Sequence, residues 1–294
     1  MPRLTPHNDK ENPRNKKYFE RYLSMVVSRY TAHEPDQNGY IPYTNEENKV
    51  WSILFDRQTE IIKDRAMNTH LIAAKAIGIT RDKIPQPKDI SYNLRALTGW
   101  SVTPVPALID FDIFFDLLSK RVFPAASFIR RMEDLDYLQE PDIFHEIFGH
   151  CPMLTQQFFA DFTQEIGNFG KALNRSDQIM LARLYWFTVE FGLINSHEGL
   201  RIYGAGILSS KTESVYALDS KIPLRKKFNL IEVLRTPYRY DEMQKVYFVI
   251  NNYEELFNLV HDNLKESFDE ARKLGMLSNL YANAQITEHD DYIC

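Results

Sequence analysis

The sequence predicts a single, mainly α-helical domain with a small amount of β-sheet. Apolar residues recur at helical spacing through several long segments, most clearly in residues 45–79 and 177–193. One short run, VYFVI at residues 246–250, has the composition of a strand. No internal repeat or low-complexity linker divides the 294 residues, so we expect one large domain with a sizeable core.

Four helical segments are predicted in the first half of the chain, at residues 18–30, 45–79, 91–100 and 109–131. A polar arm over residues 1–17 precedes them. Gly78 and Gly99 stand where the second and third segments should end. Residues 101–106, SVTPVP, are predicted to be extended because two prolines forbid a helix interior. Pro124 interrupts the fourth segment.

The second half is predicted to be helical at residues 155–173, at residues 177–193, and from the end of the predicted strand to about residue 284. Residues 203–210, YGAGILSS, form a small-residue turn, which either lets the backbone approach a ligand or simply marks a tight bend. Residues 221–239 are locally basic and are predicted to be a solvated face. An acidic tail over residues 285–294 follows, so the predicted catalytic domain covers residues 18–284.

Composition argues against several classes of protein. The formal net charge of -5 disfavours nucleic acid as a main partner. No run of about 18 apolar residues would span a membrane, and the N-terminus lacks the apolar core of a signal peptide, so we expect a cytoplasmic protein. Two cysteines, Cys151 and Cys294, provide no disulfide framework and fit a reducing compartment. The sequence contains no nucleotide-binding glycine motif.

The chemistry of the chain concentrates in PDIFHEIFGHCPM, residues 141–153. His145 and His150 are five positions apart, unlike the pattern His-Glu-x2-His of zinc proteases. On an α-helix such positions lie about 140° apart, so both can reach one ion only if the backbone changes course between them. Gly149 and Pro152 permit that change. We therefore predict a helix that ends near Gly149, with His150 folded back beside His145; the alternative is two ordinary histidines.

A metal site needs a third ligand, and Glu190 is the best candidate because it interrupts an apolar run. A buried carboxylate must be paired or bound to a metal. A salt bridge with Arg183 is the alternative, and Cys151 could supply a thiolate. Two histidines and a carboxylate form the facial triad of non-haem Fe(II) oxygenases, although the same set could hold zinc. Arg130, fifteen residues before the first histidine, has a fork suited to a substrate carboxylate, unless it is simply ion-paired.

With Arg130, PDIFHEIFGHCPM and LYWFTVEFGLINSHEGLRIYGAGILSS in view, the chain resembles the pterin-dependent aromatic amino acid hydroxylases, and among them the short bacterial type. The resemblance is strongest from about residue 95 to residue 250. It implies a basket-like helical catalytic domain. It also implies a monooxygenase that hydroxylates L-phenylalanine to L-tyrosine with O2, for phenylalanine catabolism or tyrosine biosynthesis.

The resemblance further implies a role for each candidate residue. Fe(II) would be held by His145, His150 and Glu190, and these three residues would form the catalytic centre. Tetrahydrobiopterin or a related reduced pterin would contact Phe114, Leu108, Ile109, Glu146 and Tyr185. The amino acid would contact Arg130, Pro141, Trp186, Phe191, Gly206, Ser209 and Glu213.

Some features depart from the animal members of that family. Leu138 stands where they carry a threonine, so one hydroxyl contact to the substrate is not expected. No regulatory domain or tetramerisation coiled coil is expected, which predicts a monomer or homodimer with small molecules as its partners. Three alternatives stay open: the same chemistry on tryptophan or tyrosine, a zinc hydrolase that uses Glu146 as a base, and a helical binding protein without catalysis.

Overall fold

The computed structural model describes residues 30–106, 109–138, 140–278 and 280, and its elements belong to a unit that begins at Ala32. The α-helices are α1 (Asn45–Ile62), α2 (Thr69–Ala76), α3 (Pro87–Thr98), α4 (Phe111–Ser119), α5 (Gln157–Ala172), α6 (Arg175–Tyr185), α7 (Ala205–Leu208), α8 (Lys211–Asp219), α9 (Leu230–Arg235) and α10 (Tyr253–Leu274). The strands are β1 (Ser101–Val105), β2 (Val122–Ala126), β3 (Leu193–Ser196), β4 (Gly199–Ile202), β5 (Leu224–Lys227) and β6 (Val246–Ile250).

Two further segments, Phe144–His150 and Trp186–Glu190, are π-helices, and short 3-10 turns occur at Met132–Asp134 and Met153–Thr155. The predicted arm over residues 1–17 and the predicted tail over residues 285–294 lie outside the described residues. The limits 18–284 of the catalytic domain therefore stay a prediction.

The helix ends follow local chemistry that the sequence displays. At the start of α1, the Thr44 hydroxyl accepts a hydrogen bond from the backbone N–H of Glu47, whose carboxylate accepts one in return from the Thr44 N–H. The helix α3 ends at Gly99, whose φ of +80° is left-handed. The predicted end at Gly99 is thus confirmed, and the predicted helical stretch 45–79 is two helices with Gly78 behind the second.

The segment 109–131 is only partly helical, so its prediction was wrong in part. After α4, Arg121 has a left-handed φ of +56° and the chain enters β2. This strand pairs in parallel with β1, from Ser101 opposite Val122 to Val105 opposite Ala126. Pro124 fits because β2 has only one strand neighbour in this two-stranded sheet, so the missing N–H faces away from the ladder.

The larger sheet has the strand order β4-β3-β6-β5. β3 and β4 are antiparallel, whereas β6 runs parallel to both β3 and β5. All five residues of β6 are buried, as expected for the central apolar VYFVI strand. The basic stretch 221–239 forms edge strand β5 and α9. Among the described residues, no helix is long and apolar enough to cross a membrane.

The predicted buried helix 177–193 divides into α6, the second π-helix and the start of β3. The residues 203–210, predicted as a turn, contain the short helix α7, which packs against both π-helices. Close packing requires glycine at several contacts. A Cβ on Gly149 would lie 3.0 Å from the Ala205 carbonyl oxygen, and one on Gly206 would lie 2.9 Å from the Phe191 ring. The two π-helices and α7 therefore form one tightly packed unit.

Candidate metal centre and active site

The first π-helix, Phe144–His150, brings two histidines together. Its hydrogen bonds run from residue i to residue i+5, so side chains five positions apart share a face. The Nε2 atoms of His145 and His150 lie 3.1 Å apart. The predicted convergence of the two side chains is present. The predicted route to it was wrong, because the helix widens and continues to His150 instead of ending near Gly149.

Glu190, at the end of the second π-helix, supplies the third ligand atom. Its Oε1 lies 3.1 Å from His150 Nε2, and its Oε2 lies 3.6 Å from His145 Nε2. The predicted alternative partner, Arg183, donates to the Leu234 carbonyl oxygen. Glu190 is thus a buried carboxylate that faces two imidazoles.

These distances fit a bound transition-metal ion. Bonds of about 2.1 Å at right angles place neighbouring donors about 3.0 Å apart, whereas tetrahedral angles place them about 3.4 Å apart. The two 3.1 Å separations around His150 Nε2 match the first geometry. Within the part of the chain that the structure describes, no hydrogen bond of good geometry reaches the buried Glu190 Oε1, despite its closeness to His150. An ion would satisfy that atom.

The ring of His145 has a defined tautomer. The Ser209 hydroxyl donates to the Ala205 carbonyl oxygen at 2.9 Å, so its oxygen is left to accept from His145 Nδ1 at 2.8 Å. The proton of the neutral ring is therefore on Nδ1, and the lone pair on Nε2 points toward His150 and Glu190. Such support behind a metal ligand fixes its orientation and raises its basicity.

Charge states in the site also suit a cation. Burial lowers the pKa of His145 to about 4, so the ring is neutral near pH 7. Burial alone would raise the pKa of Glu190, but the neighbouring His150 and His145 lower it below its usual value. Burial and the charge of Glu190 raise the pKa of Glu146 well above its usual value. The candidate site thus offers a neutral His145 ring and the Glu190 carboxylate to a cation.

Arg130 has a buried partner that the sequence analysis missed. Its Nε and Nη2 donate to the two carboxylate oxygens of Asp142 at 2.8 and 2.9 Å. Asp142 also accepts from the backbone N–H groups of Arg130 and His145. Burial would raise the pKa of Asp142, but Arg130 and these N–H groups lower it. Asp142 therefore ties the guanidinium to the first turn of the π-helix that carries both histidines.

A cavity of about 380 Å³ opens beside the three ligands, a volume in the range of small-molecule sites. It brings together all the residues that the resemblance assigned to the amino acid: Arg130, Pro141, Trp186, Phe191, Gly206, Ser209 and Glu213, with His145 and Glu190. Leu138, which stands where the animal members of the resembled family carry a threonine, also lines the cavity. Tyr137 and Tyr240 form an exposed part of its lining. The cavity thus combines a guanidinium, aromatic walls and the candidate metal ligands.

Comparison with known proteins shows which family this chain belongs to. Residues 3–275 match the family model of the biopterin-dependent aromatic amino acid hydroxylases. This chain belongs to the biopterin-dependent aromatic amino acid hydroxylase family. It is 47% identical over 261 residues to the phenylalanine-4-hydroxylase of Pseudomonas aeruginosa, a match that covers 89% of this chain and 99% of that protein.

Solved structures of hydroxylases share its fold. The phenylalanine hydroxylase of Legionella pneumophila superimposes with a TM-score of 0.83 at 46% identity, covering 85% of this chain and 100% of that one. The Chromobacterium violaceum phenylalanine hydroxylase with bound Fe(III) gives a TM-score of 0.78 at 39% identity, covering 85% and 94%. The expected fold, mainly helical with a small amount of sheet, is confirmed as that of the aromatic amino acid hydroxylases.

The described residues that the resemblance assigned to the pterin do not line the cavity beside Arg130. Phe114 in α4 makes an edge-on contact with the Tyr185 ring at 5.3 Å, and Tyr185 lies 6.4 Å from the ring of His150. Glu146 Oε2 lies 3.9 Å from His150 Nε2. Ile109 packs against the core, whereas Leu108 lies outside the described residues. Phe114, Tyr185 and Glu146 of this hydroxylase's predicted pterin set therefore lie on the His150 side of the candidate metal centre.

One further residue that the sequence analysis missed lies in the cavity wall. Gln244, which is only 1% exposed, accepts a hydrogen bond from the indole N–H of Trp186. It follows a rim loop, Tyr240–Met243, that lines the cavity. Periodicity and composition gave no signal for Gln244, because a glutamine next to a basic segment is typical of a solvated surface. Asp142 was visible within the histidine motif and Arg130 was a candidate residue, but the pairing of the two was not predicted.

Proposed function

We infer that this chain is a phenylalanine 4-monooxygenase that depends on iron and a tetrahydropterin and converts L-phenylalanine and O2 to L-tyrosine. The observation that carries this inference is the cavity that joins Arg130, aromatic walls and the His145–His150–Glu190 cluster in a member of the hydroxylase family. Relatives that match almost the whole chain are named for phenylalanine, which favours it over tryptophan or tyrosine. The family also argues against the zinc hydrolase and the non-catalytic binding protein.

Each group in the site has a proposed role in this reaction. His145, His150 and Glu190 hold Fe(II), and Ser209 orients His145. When bound, iron and the reduced pterin supply the electrons that activate dioxygen, which zinc could not do. The pterin contacts Phe114, Glu146 and Tyr185 on the His150 side of the site, together with Leu108 and Ile109.

The amino acid occupies the cavity on the other side. Asp142 holds the Arg130 guanidinium through Nε and Nη2, and Arg130 lines the cavity, where it binds the substrate carboxylate. Trp186, Phe191, Pro141 and Gly206 enclose the aromatic ring, with Leu138 at the edge. Ser209 and Glu213 complete the lining. The buried walls exclude water from the ring and hold it toward the ligand cluster.

The test is tyrosine formation by metal-free protein, with and without Fe(II), in the presence of O2 and reduced pterin. Iron-dependent tyrosine is expected, with initial rates on phenylalanine above those on tryptophan and tyrosine. Zinc in place of iron serves as the control and should give no product. Folded, iron-loaded protein that oxidises no pterin and forms no tyrosine would contradict the proposal.

Two further features of the protein are proposals. We propose a cytoplasmic location, supported by Cys151, a buried free thiol that fits a reducing compartment. We also propose a monomer or homodimer, which light scattering on a size-exclusion column would decide. A tetramer would contradict that second proposal.

A further inference from the structure

The wall of the substrate cavity contains an indole ring, that of Trp186, in contact with two other aromatic rings. The Trp186 ring lies 4.6 Å from that of Phe191 and 4.3 Å from that of Tyr238, with interplanar angles of 31° and 19°. Stacked and tilted ring contacts of this kind hold a ring in its plane. They restrain rotation and sliding within that plane only weakly. A directional bond is needed to fix which edge of the indole faces the cavity.

Gln244 supplies that bond. The Trp186 indole N–H donates to Gln244 Oε1 at 3.0 Å, in a buried setting. The orientation of the Gln244 amide is set from its other end, because Nε2 donates to the carbonyl oxygens of Arg239 at 2.7 Å and Glu242 at 3.2 Å. An indole nitrogen can only donate and a carbonyl oxygen can only accept, so both ends require the same amide orientation.

Gln244 also connects Trp186 to the rim loop and to Glu213, which lines the cavity. The backbone N–H of Gln244 donates to Glu213 Oε1 at 3.1 Å, and the Tyr247 hydroxyl bonds to that same oxygen. Arg239 precedes the rim loop Tyr240–Met243 and Glu242 lies within it, whereas Glu213 lies in the first turn of α8. The Gln244 side chain thus joins the indole to the rim loop, and its backbone N–H joins the same residue to Glu213.

We propose that Gln244 is a positioning residue that fixes the in-plane orientation of Trp186 and thereby sets the fit of the cavity to the aromatic ring of the amino acid. This inference rests on the proposed function, since it takes the cavity to hold that ring. Gln244 itself does no chemistry, and its influence is confined to the amino acid side of the site.

The first test is a double-mutant cycle of Gln244→Leu and Trp186→Phe, read by steady-state kinetics of the iron-loaded enzyme. Loss of the buried bond in Gln244→Leu is expected to raise the KM for phenylalanine about tenfold. The KM for the pterin should not change, and selectivity for phenylalanine over tryptophan should fall. In Trp186→Phe the donor is already gone, so adding Gln244→Leu should have little further effect. Independent, multiplicative effects would overturn the proposal.

The matched control is Gln178→Leu. Gln178 is also a buried glutamine whose amide donates twice, to Asp112 Oδ1 and to the Gly170 carbonyl oxygen, but it lies outside the cavity lining. Its replacement should leave the KM for phenylalanine at the wild-type value. Gln244→Met, which keeps the length of the side chain without its amide, is the second variant if Gln244→Leu does not fold. An equal KM in the Gln244 and Gln178 variants would overturn the proposal.

A second readout is independent of turnover. The chain has three tryptophans, so protein labelled with 15N-tryptophan gives three indole N–H signals, and Trp186→Phe identifies one of them. In the Gln244 variants that signal should move upfield and exchange faster with solvent, while Gln178→Leu leaves it in place. An unchanged signal would overturn the proposal. If the wild type forms no tyrosine, the proposed function fails, whereas an active wild type with an unmoved indole signal in Gln244→Leu defeats only this inference.

Discussion

The Nε2 atoms of His145 and His150 lie 3.1 Å apart although five positions separate the residues in the chain. An α-helix would point the two side chains about 140° apart. The π-helix Phe144–His150 removes that conflict, because its hydrogen bonds align residues i and i+5. Glu190 reaches the same point from a second π-helix. The unusual histidine spacing and the unusual helix are thus one feature, which serves the candidate metal centre.

Replacement of any of the three ligands should abolish iron binding. Mutation of a residue that only supports a metal ligand lowers metal affinity about 10- to 100-fold. For His145→Ala, His150→Ala and Glu190→Ala, which remove a ligand itself, we expect a larger loss of iron affinity. Iron per chain after gel filtration is the measurement. His197→Ala, at a side chain that is 90% exposed, is the control. Wild-type iron content in any of these variants would show that the replaced residue is not an iron ligand.

Ser209→Ala should weaken iron binding through His145. Without the hydroxyl, Nδ1 loses the acceptor that fixes its proton, so the lone pair on Nε2 is no longer held toward the ion. We expect iron affinity to fall about 10- to 100-fold, measured by competition with a chelator. The neighbouring Ser210→Ala is the control. Its hydroxyl accepts from the Glu213 N–H at the start of α8, so its loss should lower stability but not iron affinity. Equal iron affinities in the two variants would contradict this role.

Asp142→Ala should destabilise the protein and weaken phenylalanine binding together. It leaves the Arg130 guanidinium buried without its carboxylate, which costs about 3–5 kcal/mol in comparable ion pairs. The displaced guanidinium should also raise the KM for phenylalanine. The measurements are urea unfolding and steady-state kinetics. Asp56→Ala breaks an exposed pair with Arg81 and should change the free energy of unfolding much less. Wild-type stability and KM in Asp142→Ala would show that the pair is dispensable.

The candidate metal ligands that the structure brings together could be predicted because their chemistry is local. Residue type and spacing marked His145 and His150, and the cost of burying a lone carboxylate marked Glu190. Cap chemistry likewise marked the end of α3 at Gly99. In each case the physical cause lies within a few residues of the feature itself.

The features that sequence analysis missed depend on contacts between distant segments. β2 carries a proline and an apolar run that also suits a helix, and its pairing with β1 decides the outcome. The Asp142–Arg130 pair spans twelve positions, and the Gln244–Trp186 bond spans 58. No periodicity encodes such pairs. The π-helices were missed because side-chain pattern does not distinguish i+4 from i+5 backbone bonding over a few turns.

A buried histidine outside the cavity should make the fold acid-sensitive. His70 in α2 is 1% exposed and packs edge-on against Phe148 of the first π-helix, with 5.4 Å between ring centres. Burial lowers the pKa of His70 to about 4, so the ring is neutral in the folded protein near pH 7.

His70→Leu should therefore be less sensitive to acid than the wild type. The folded pKa lies below the unfolded value of about 6.5, so the stabilisation is complete above that value and is lost as the pH falls toward 4. Between pH 7 and pH 5 the wild type should lose about 2 kcal/mol more of its free energy of unfolding than His70→Leu. Urea unfolding of the metal-free proteins at both pH values measures the difference, with His197→Leu as the exposed control. Equal losses in all three proteins would mean that another group governs the acid transition.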